Sequence, residues 1–222
     1  VCDSATRGWL CVDCEAWHAT SRACCARCGL PTAAPVALCG ECLAEPPPFV
    51  AAVCAVEYAF PWPALVWAMK HHGGFEHASG MAALMLRRAA DRPDPVAWPD
   101  AWVPVPMSRS RLAKRGQSAA ALLAQALARQ SAKACLVDGL WRVLDAPAQA
   151  GLSRSQRLTN LRAAFAPSTR TPGALEGKTV GLVDDVMTTG ATARAAAAAV
   201  LRSGAAAVQV WAFARTPKPE HD

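Results

Sequence analysis

Residues 180–192, VGLVDDVMTTGAT, constrain the fold of this chain more than any other stretch. The apolar run Val180, Gly181, Leu182 and Val183 predicts a buried strand, with Asp184 and Asp185 at its carboxyl end. A short loop, Met187 to Thr192, then opens an alanine-rich helix. In an open parallel α/β sheet, that edge is where ligands bind. Val186, Met187, Thr188, Thr189, Gly190, Ala191 and Thr192 bring backbone N–H groups and three hydroxyls to a helix N-terminus, a place that receives phosphate. Gly190 lets the backbone turn, or approach a ligand, with no Cβ in the way. The two carboxylates do not favour that same phosphate. They suit a cation, or the donating hydroxyls of a sugar. Together the parts describe a phosphorylated sugar, its phosphate in the loop and its hydroxyls on the aspartates.

This stretch resembles the binding motif of the type I phosphoribosyltransferases: an apolar strand, two acids, then Thr-Gly-x-Thr. The resemblance implies that the loop holds the 5-phosphate of phosphoribosyl diphosphate and that Asp184 and Asp185 meet the ribose hydroxyls. The plainer reading of the same residues is an apolar strand followed by a solvated acidic turn.

A chain of 222 residues holds one sizeable domain plus something small. Hydrophobic residues at 53% and charged residues at 18% argue for a packed core and against disorder. A net charge of +6 and a pI near 8.9 permit phosphate-rich partners, nucleic acid included. No secretory signal or membrane-spanning run is visible, so no membrane insertion and a cytoplasmic location are expected. In a reducing cytosol, cysteine clusters hold metal rather than disulfides. Eight of the ten cysteines fall within the first 42 residues.

Three CxxC pairs stand in that head: Cys11 with Cys14, Cys25 with Cys28, and Cys39 with Cys42. The last two pairs, each followed by a glycine at Gly29 or within the pair at Gly40, make a four-thiolate zinc site. A redox-active dithiol is the rival reading. Cys11 and Cys14 need two more ligands to close a second site. Cys2 can give one, but Ala5 stands where its CxxC partner belongs, leaving Cys24, His18, Asp3 and Asp13 as alternatives. A segment this small folds on metal rather than on buried area, with Trp9 and Trp17 expected as covers for its small core rather than as a base-stacking platform.

The proline-rich connector at residues 45–49 divides the chain into a cysteine-rich domain, residues 1–45, and a main domain, residues 50–216. Residues 50–60 read as a strand, residues 61–70 as a helix, and residues 77–90 as a second helix. His71 and His72 read as a solvated helix end, while Lys70 is suited to approach a phosphate or diphosphate. Residues 102–106 read as a short buried strand running into a basic loop with Arg109, Arg111, Lys114 and Arg115, a cluster able to neutralise a diphosphate or simply to be solvated. Residues 118–129 are a clear helix. Residues 148–161, with Arg154 and Arg157, read either as a cover over the sheet edge or as an ordinary solvated segment. Cys54 and Cys135 are expected as buried thiols. The last strand falls around Val208, Val210, Trp211 and Phe213. The element order predicts an α/β parallel sheet with flanking helices, and the motif's resemblance implies that this sheet is phosphoribosyltransferase-like, preceded by a small cysteine-rich zinc domain.

With the cysteine head, the VPVP strand and the VDDVMTTGAT core in hand, the whole chain resembles the competence protein F family. Gln149, Gly151, Leu152, Ser153, Arg154, Arg157, Asn160 and Phe165 fit that family's middle pattern. The chain departs from it at Gln117, Ser118 and Ala119, where the family has Phe-Asn-Gln, and at Ala5. The resemblance implies a double zinc ribbon, a phosphoribosyltransferase-like domain, and a link to DNA uptake beside a helicase-like partner. Two functions follow as expectations. One is transfer of ribosyl-5-phosphate from phosphoribosyl diphosphate with Mg2+, using Asp184, Asp185, Arg109 and Arg111. The other is a non-catalytic, zinc-containing adaptor that binds single-stranded DNA or the helicase-like partner.

Overall fold

The computed structural model describes residues 9–20, 22–71, 75–94, 96–143, 164–170 and 172–218. Five parallel strands form the central sheet, in the order β1-β7-β6-β2-β3. They are β1 (Ala51–Glu57), β2 (Ala101–Pro104), β3 (Ala134–Cys135), β6 (Thr179–Met187) and β7 (Ala207–Arg215). A separate antiparallel pair joins β4 (Leu140–Arg142) to β5 (Phe165–Pro167). The helices are α1 (Val12–His18), α2 (Gly40–Ala44), α3 (Trp62–His71), α4 (Phe75–Ala90), α5 (Arg109–Arg115), α6 (Ala119–Ser131) and α7 (Ala191–Arg202). Among the described residues no helix is long and apolar enough to cross a membrane.

The two faces of the sheet are filled differently. Along β7, Val208, Val210 and Ala212 enter one cluster while Trp211 and Phe213 enter the other, the period-two alternation of a strand covered on both sides. Under α3, α4 and α6 the core is bulky: Trp62, Met69, Met81, Met85, Trp102, Leu123 and Leu127. On the opposite face α7 presents Ala193, Ala195, Ala196, Ala197 and Ala199, small residues that seat the helix close to Val180, Leu182, Val208 and Val210. Gly181 is required in β6 because a Cβ there would lie 2.5 Å from the Trp102 ring.

The cysteine-rich head is packed onto both faces. Cys25, Cys28, Leu30 and Cys42 join the core under α7, whereas Trp9, Leu10 and Ala19 join the core under α3 and α4. This corrects the expectation for the two head tryptophans. Trp17 is 80% exposed. Trp9 stacks on Trp62 with ring centroids 6.3 Å apart, meets the edge of Phe213, and donates from Nε1 to His77 Nδ1 at 3.0 Å. Gly80 on α4 makes room for it, since a Cβ there would sit 2.1 Å from the indole. Tryptophan carries the largest apolar surface of any side chain, and the main core offers more to bury it against than a few cysteines do.

Two further local expectations change. The basic stretch after β2 is a helix rather than a loop: Ser108 Oγ accepts from Arg111 N at 3.3 Å as its N-cap, and Gly116, at φ 73°, closes it. The strand of the motif also runs further than its apolar residues. Asp184, Val186 and Met187 pair with Ala212, Ala214 and Arg215, so the ladder with β7 carries β6 through both acids to Met187. Cys54 and Cys135 are half-buried, and burial raises both thiols, Cys54 to about 12.

Candidate functional site

Cys25, Cys28, Cys39 and Cys42 bring their four sulfurs within 4.8 Å of one another. Cys25 Sγ lies 4.0 Å from Cys42 Sγ, and Cys28 Sγ lies 3.7 Å from Cys39 Sγ. A tetrahedral zinc with sulfurs at about 2.3 Å sets them about 3.8 Å apart. The knuckle turns present the sulfurs inward: Cys39 N donates to Cys25 Sγ at 3.2 Å, and Gly29, at φ 68°, packs its bare Cα against Cys54. Burial pushes the Cys28 thiol up to about 11 and raises Cys42 as well. Cys39 is lowered: burial raises it, but the Cys42 backbone N–H and the neighbouring thiols outweigh that. The raised thiols of Cys28 and Cys42 hold their protons until a cation displaces them. The donor set and its spacing fit Zn2+.

Among the described residues no other group of metal-ligating side chains converges. Cys2, like Asp3, lies outside the described residues. Cys11 caps α1, its Sγ accepting from Cys14 N at 3.3 Å. Asp13 is exposed, and His18 packs edge-on against Phe60. Cys24 lies outside the four-sulfur group.

The second region is the carboxyl edge of the sheet. The chain leaves β2 toward β3 on one side and leaves β6 toward β7 on the other, with α6 and α7 on opposite faces. Between β2 and β6, therefore, the winding reverses and a crevice opens. Residues 184–192 form one wall. Asp184 Oδ1 accepts from Asp185 N at 2.9 Å, and Asp185 Oδ1 accepts from Val186 N at 2.7 Å. Asp185 Oδ2 also meets Lys70 Nζ, at the end of α3, at 2.7 Å. Burial first, and the neighbouring Asp185 charge second, raise the Asp184 carboxyl well above its ordinary value. One acid is thus biased toward its neutral form and the other is matched by a cation. The edge repels an anion far less than two bare aspartates would.

Beyond Met187, Thr188 and Thr189 are exposed, and Gly190, at φ 77°, caps α7 with no side-chain hydrogen bond. Ala191 and Thr192 form the first turn, where Ala191 N donates to Thr189 Oγ1 at 3.3 Å. Among the described residues the backbone N–H groups of Thr188, Thr189 and Gly190 donate to no backbone partner. Val186 packs against the bulky core and Met187 is buried in the other, so these two offer a ligand only their backbone. Arg109, Arg111, Lys114 and Arg115 lie exposed on α5, which follows β2 across the crevice, and make no ion pair among the described residues. His71 is exposed beside Trp67, and His72 lies outside the described residues. Arg154 and Arg157, with the whole segment 144–163, also lie outside them.

Two residues were given no part in the site from sequence. Gln117, where the family pattern has Phe, donates to the carbonyl of Met69 at 3.1 Å, next to Lys70. Arg215 ends the apolar strand β7 and is 5% exposed. A cation closing an otherwise apolar run was the signal for it.

No protein-family profile matches the chain. The chain is 35% identical over 209 residues to DNA utilization protein YhgH of Escherichia coli, covering 93% of this chain and 90% of that protein. It is 38% identical over 194 residues to the Salmonella typhimurium protein of the same name, covering 86% and 84%. It is 32% identical over 179 residues to competence protein F of Haemophilus influenzae, covering 80% and 78%. Among solved structures, glutamine phosphoribosylpyrophosphate amidotransferase from B. subtilis, complexed with ADP and GMP, matches with a TM-score of 0.43 and 19% identity, over 66% of this chain and 30% of that one. Shared identity of this order over most of both chains decides the kinship: the chain belongs to the family of DNA utilization protein YhgH and competence protein F.

Proposed function

We propose that the chain binds phosphoribosyl diphosphate, or a closely related phosphorylated ribose, in the crevice between β2 and β6. The observation that carries this reading is the run of unengaged backbone N–H groups at residues 188–190, opening α7 at the point where the sheet reverses its winding. Thr188, Thr189, Gly190, Ala191 and Thr192 take the 5-phosphate. Asp184 and Asp185 take the ribose hydroxyls, with Lys70 turning from Asp185 toward the diphosphate. Arg109 and Arg111, exposed on α5, neutralise that diphosphate where negative charge grows as it leaves.

In the transfer, the bond from ribose C1 to diphosphate breaks, its electron pair leaves with the diphosphate, and an acceptor nucleophile bonds to C1. Mg2+ would enter with the ligand and supply charge neutralisation on the diphosphate, with Asp184 and Asp185 as its protein carboxylates. No side chain here is assigned as general base, so the acceptor brings its own nucleophile. The names of the relatives support a link to DNA utilization and competence.

A second reading is a non-catalytic adaptor for single-stranded DNA or a helicase-like partner. The exposed cations of α5 favour it. Calorimetry with phosphoribosyl diphosphate and Mg2+ tests the first reading. Binding is expected, and Asp184→Asn with Asp185→Asn should abolish it; intact affinity in that double variant would mean the site is wrongly assigned. DNA binding that falls steeply with salt, without diphosphate release, would favour the adaptor.

A further inference from the structure

Arg215 sits under the sheet edge with its guanidinium spent on main-chain carbonyls. Nε donates to Cys28 O at 3.3 Å. Nη1 donates to Met187 O at 3.1 Å, to Thr216 O at 2.8 Å, and to Thr188 O. Among the described residues no carboxylate pairs with it. A buried guanidinium held by carbonyls alone is an expensive arrangement unless negative charge lies close by. The Arg215 charge helps to lower the Glu41 carboxyl, and Cys28 would add negative charge on loading, because four thiolates around one Zn2+ leave a doubly negative centre.

The carbonyls that Arg215 grips belong to different parts of the molecule. Cys28 is a knuckle residue of the cysteine cluster, whereas Met187 and Thr188 begin the loop assigned to phosphate. In a trans peptide the C=O and the following N–H point opposite ways. Met187 O also accepts from Thr216 N at 3.0 Å, so the Arg215 contacts to Met187 O and Thr188 O add to that hold and turn the N–H groups of Thr188 and Thr189 away from the guanidinium.

We infer that Arg215 is a positioning residue that couples the metal-loaded knuckle to the phosphate loop, aiming the Thr188 and Thr189 N–H groups at an incoming phosphate. The inference rests on the reading of residues 188–192 as a phosphate loop. Zinc then acts at a distance from the sugar: it fixes Cys28, Cys28 fixes Arg215, and Arg215 fixes the loop.

The full chain tests this by 15N relaxation at Thr188 and Thr189, in the wild type, Arg215→Met and Arg215→Lys, each zinc-loaded and after chelation. In the loaded wild type both amides should be rigid, with order parameters near about 0.85, falling below about 0.6 on chelation. Arg215→Met should be loose with or without zinc. Arg215→Lys keeps the charge but reaches fewer carbonyls, so it should lie between. Phosphoribosyl diphosphate should bind the loaded Met variant about tenfold or more weakly than wild type, the loss expected for charged hydrogen bonds. Rigid amides in Arg215→Met overturn the coupling. So does a wild-type loop that stays rigid after chelation, which decides the matter even if the Met variant does not fold. A merely structural role would lower the melting temperature and loosen β7 generally, without singling out residues 188 and 189, and would also count against it. A wild type whose loop answers to zinc and to Arg215 but binds no phosphoribosyl diphosphate supports the coupling and sinks the ligand assignment instead.

Discussion

The four-cysteine cluster and the crevice beside β6 are assembled from opposite resources. Cys25, Cys28, Cys39 and Cys42 come from one short stretch of chain and need a cation to carry their thiolates in a buried place. The crevice draws on residues far apart in sequence, such as Lys70 and Asp185, brought together at the edge of the sheet. A local, metal-held site is vulnerable to chemistry. A non-local, sheet-held site is vulnerable to packing. Their meeting point is where the head presses on the main core, around Trp9 and Arg215.

The largest effect that would sharpen this contrast is loss of the metal. Cys42→Ser, or chelation of the wild type, should release zinc and remove hydrogen-exchange protection from residues 24–43, while β6 and β7 stay protected. Structural zinc contributes roughly 10–16 kcal/mol of binding free energy in small domains, far above any single contact in the crevice. Collapse of the whole sheet on chelation would break the distinction.

Gly80→Ala probes the seam between the two regions. In an exposed helix this change stabilises by about 1 kcal/mol. Here the added methyl would meet the Trp9 ring, so a loss of about 1–3 kcal/mol is expected in chemical denaturation. A gain in stability would show that Trp9 is not held against α4.

The smallest effect concerns the crevice alone. Burial raises the Asp184 carboxyl, so the folded state holds its proton more tightly than the unfolded chain does. Stability from this group is therefore full below the ordinary aspartate range, near pH 4, and falls as pH rises toward the folded value. Asp184→Asn should melt a few degrees above wild type at pH 7–8, and the gap should close as pH falls to about 4. Comparing the two proteins at each pH cancels the acid lability of the cysteine cluster. A variant less stable than wild type at pH 8 would contradict the burial argument.

How much of this was legible in the sequence follows the same division. The CxxC spacing announced the four-cysteine cluster, because its geometry is set within a few residues of each cysteine. The strand, loop and helix around Asp184 were also legible, since apolar periodicity and Gly190 are local signals. The extension of β6 through Met187 was not, because pairing with β7 overrides the poor strand preference of two aspartates. Ser108 and Gly116 bracket α5 and were its available signals, outweighed in the reading by the run of charge. The partnership of Lys70 with Asp185, the burial of Trp9 beneath α4 and the carbonyl contacts of Arg215 depend on which elements become neighbours, and no local pattern encodes that.

The outer rim of β1 has a consequence of its own. Ala52 N donates to Ala26 O, while Arg92 reaches Ala52 O and Arg88 reaches Ala55 O. The contacts at Ala52 occupy a ladder position that a sixth strand would otherwise claim. Cut away the residues before the proline connector, and part of that cover goes with them, offering a raw border to which a stray copy can add itself. The head would then serve as a guard against self-association, in addition to anything its metal does.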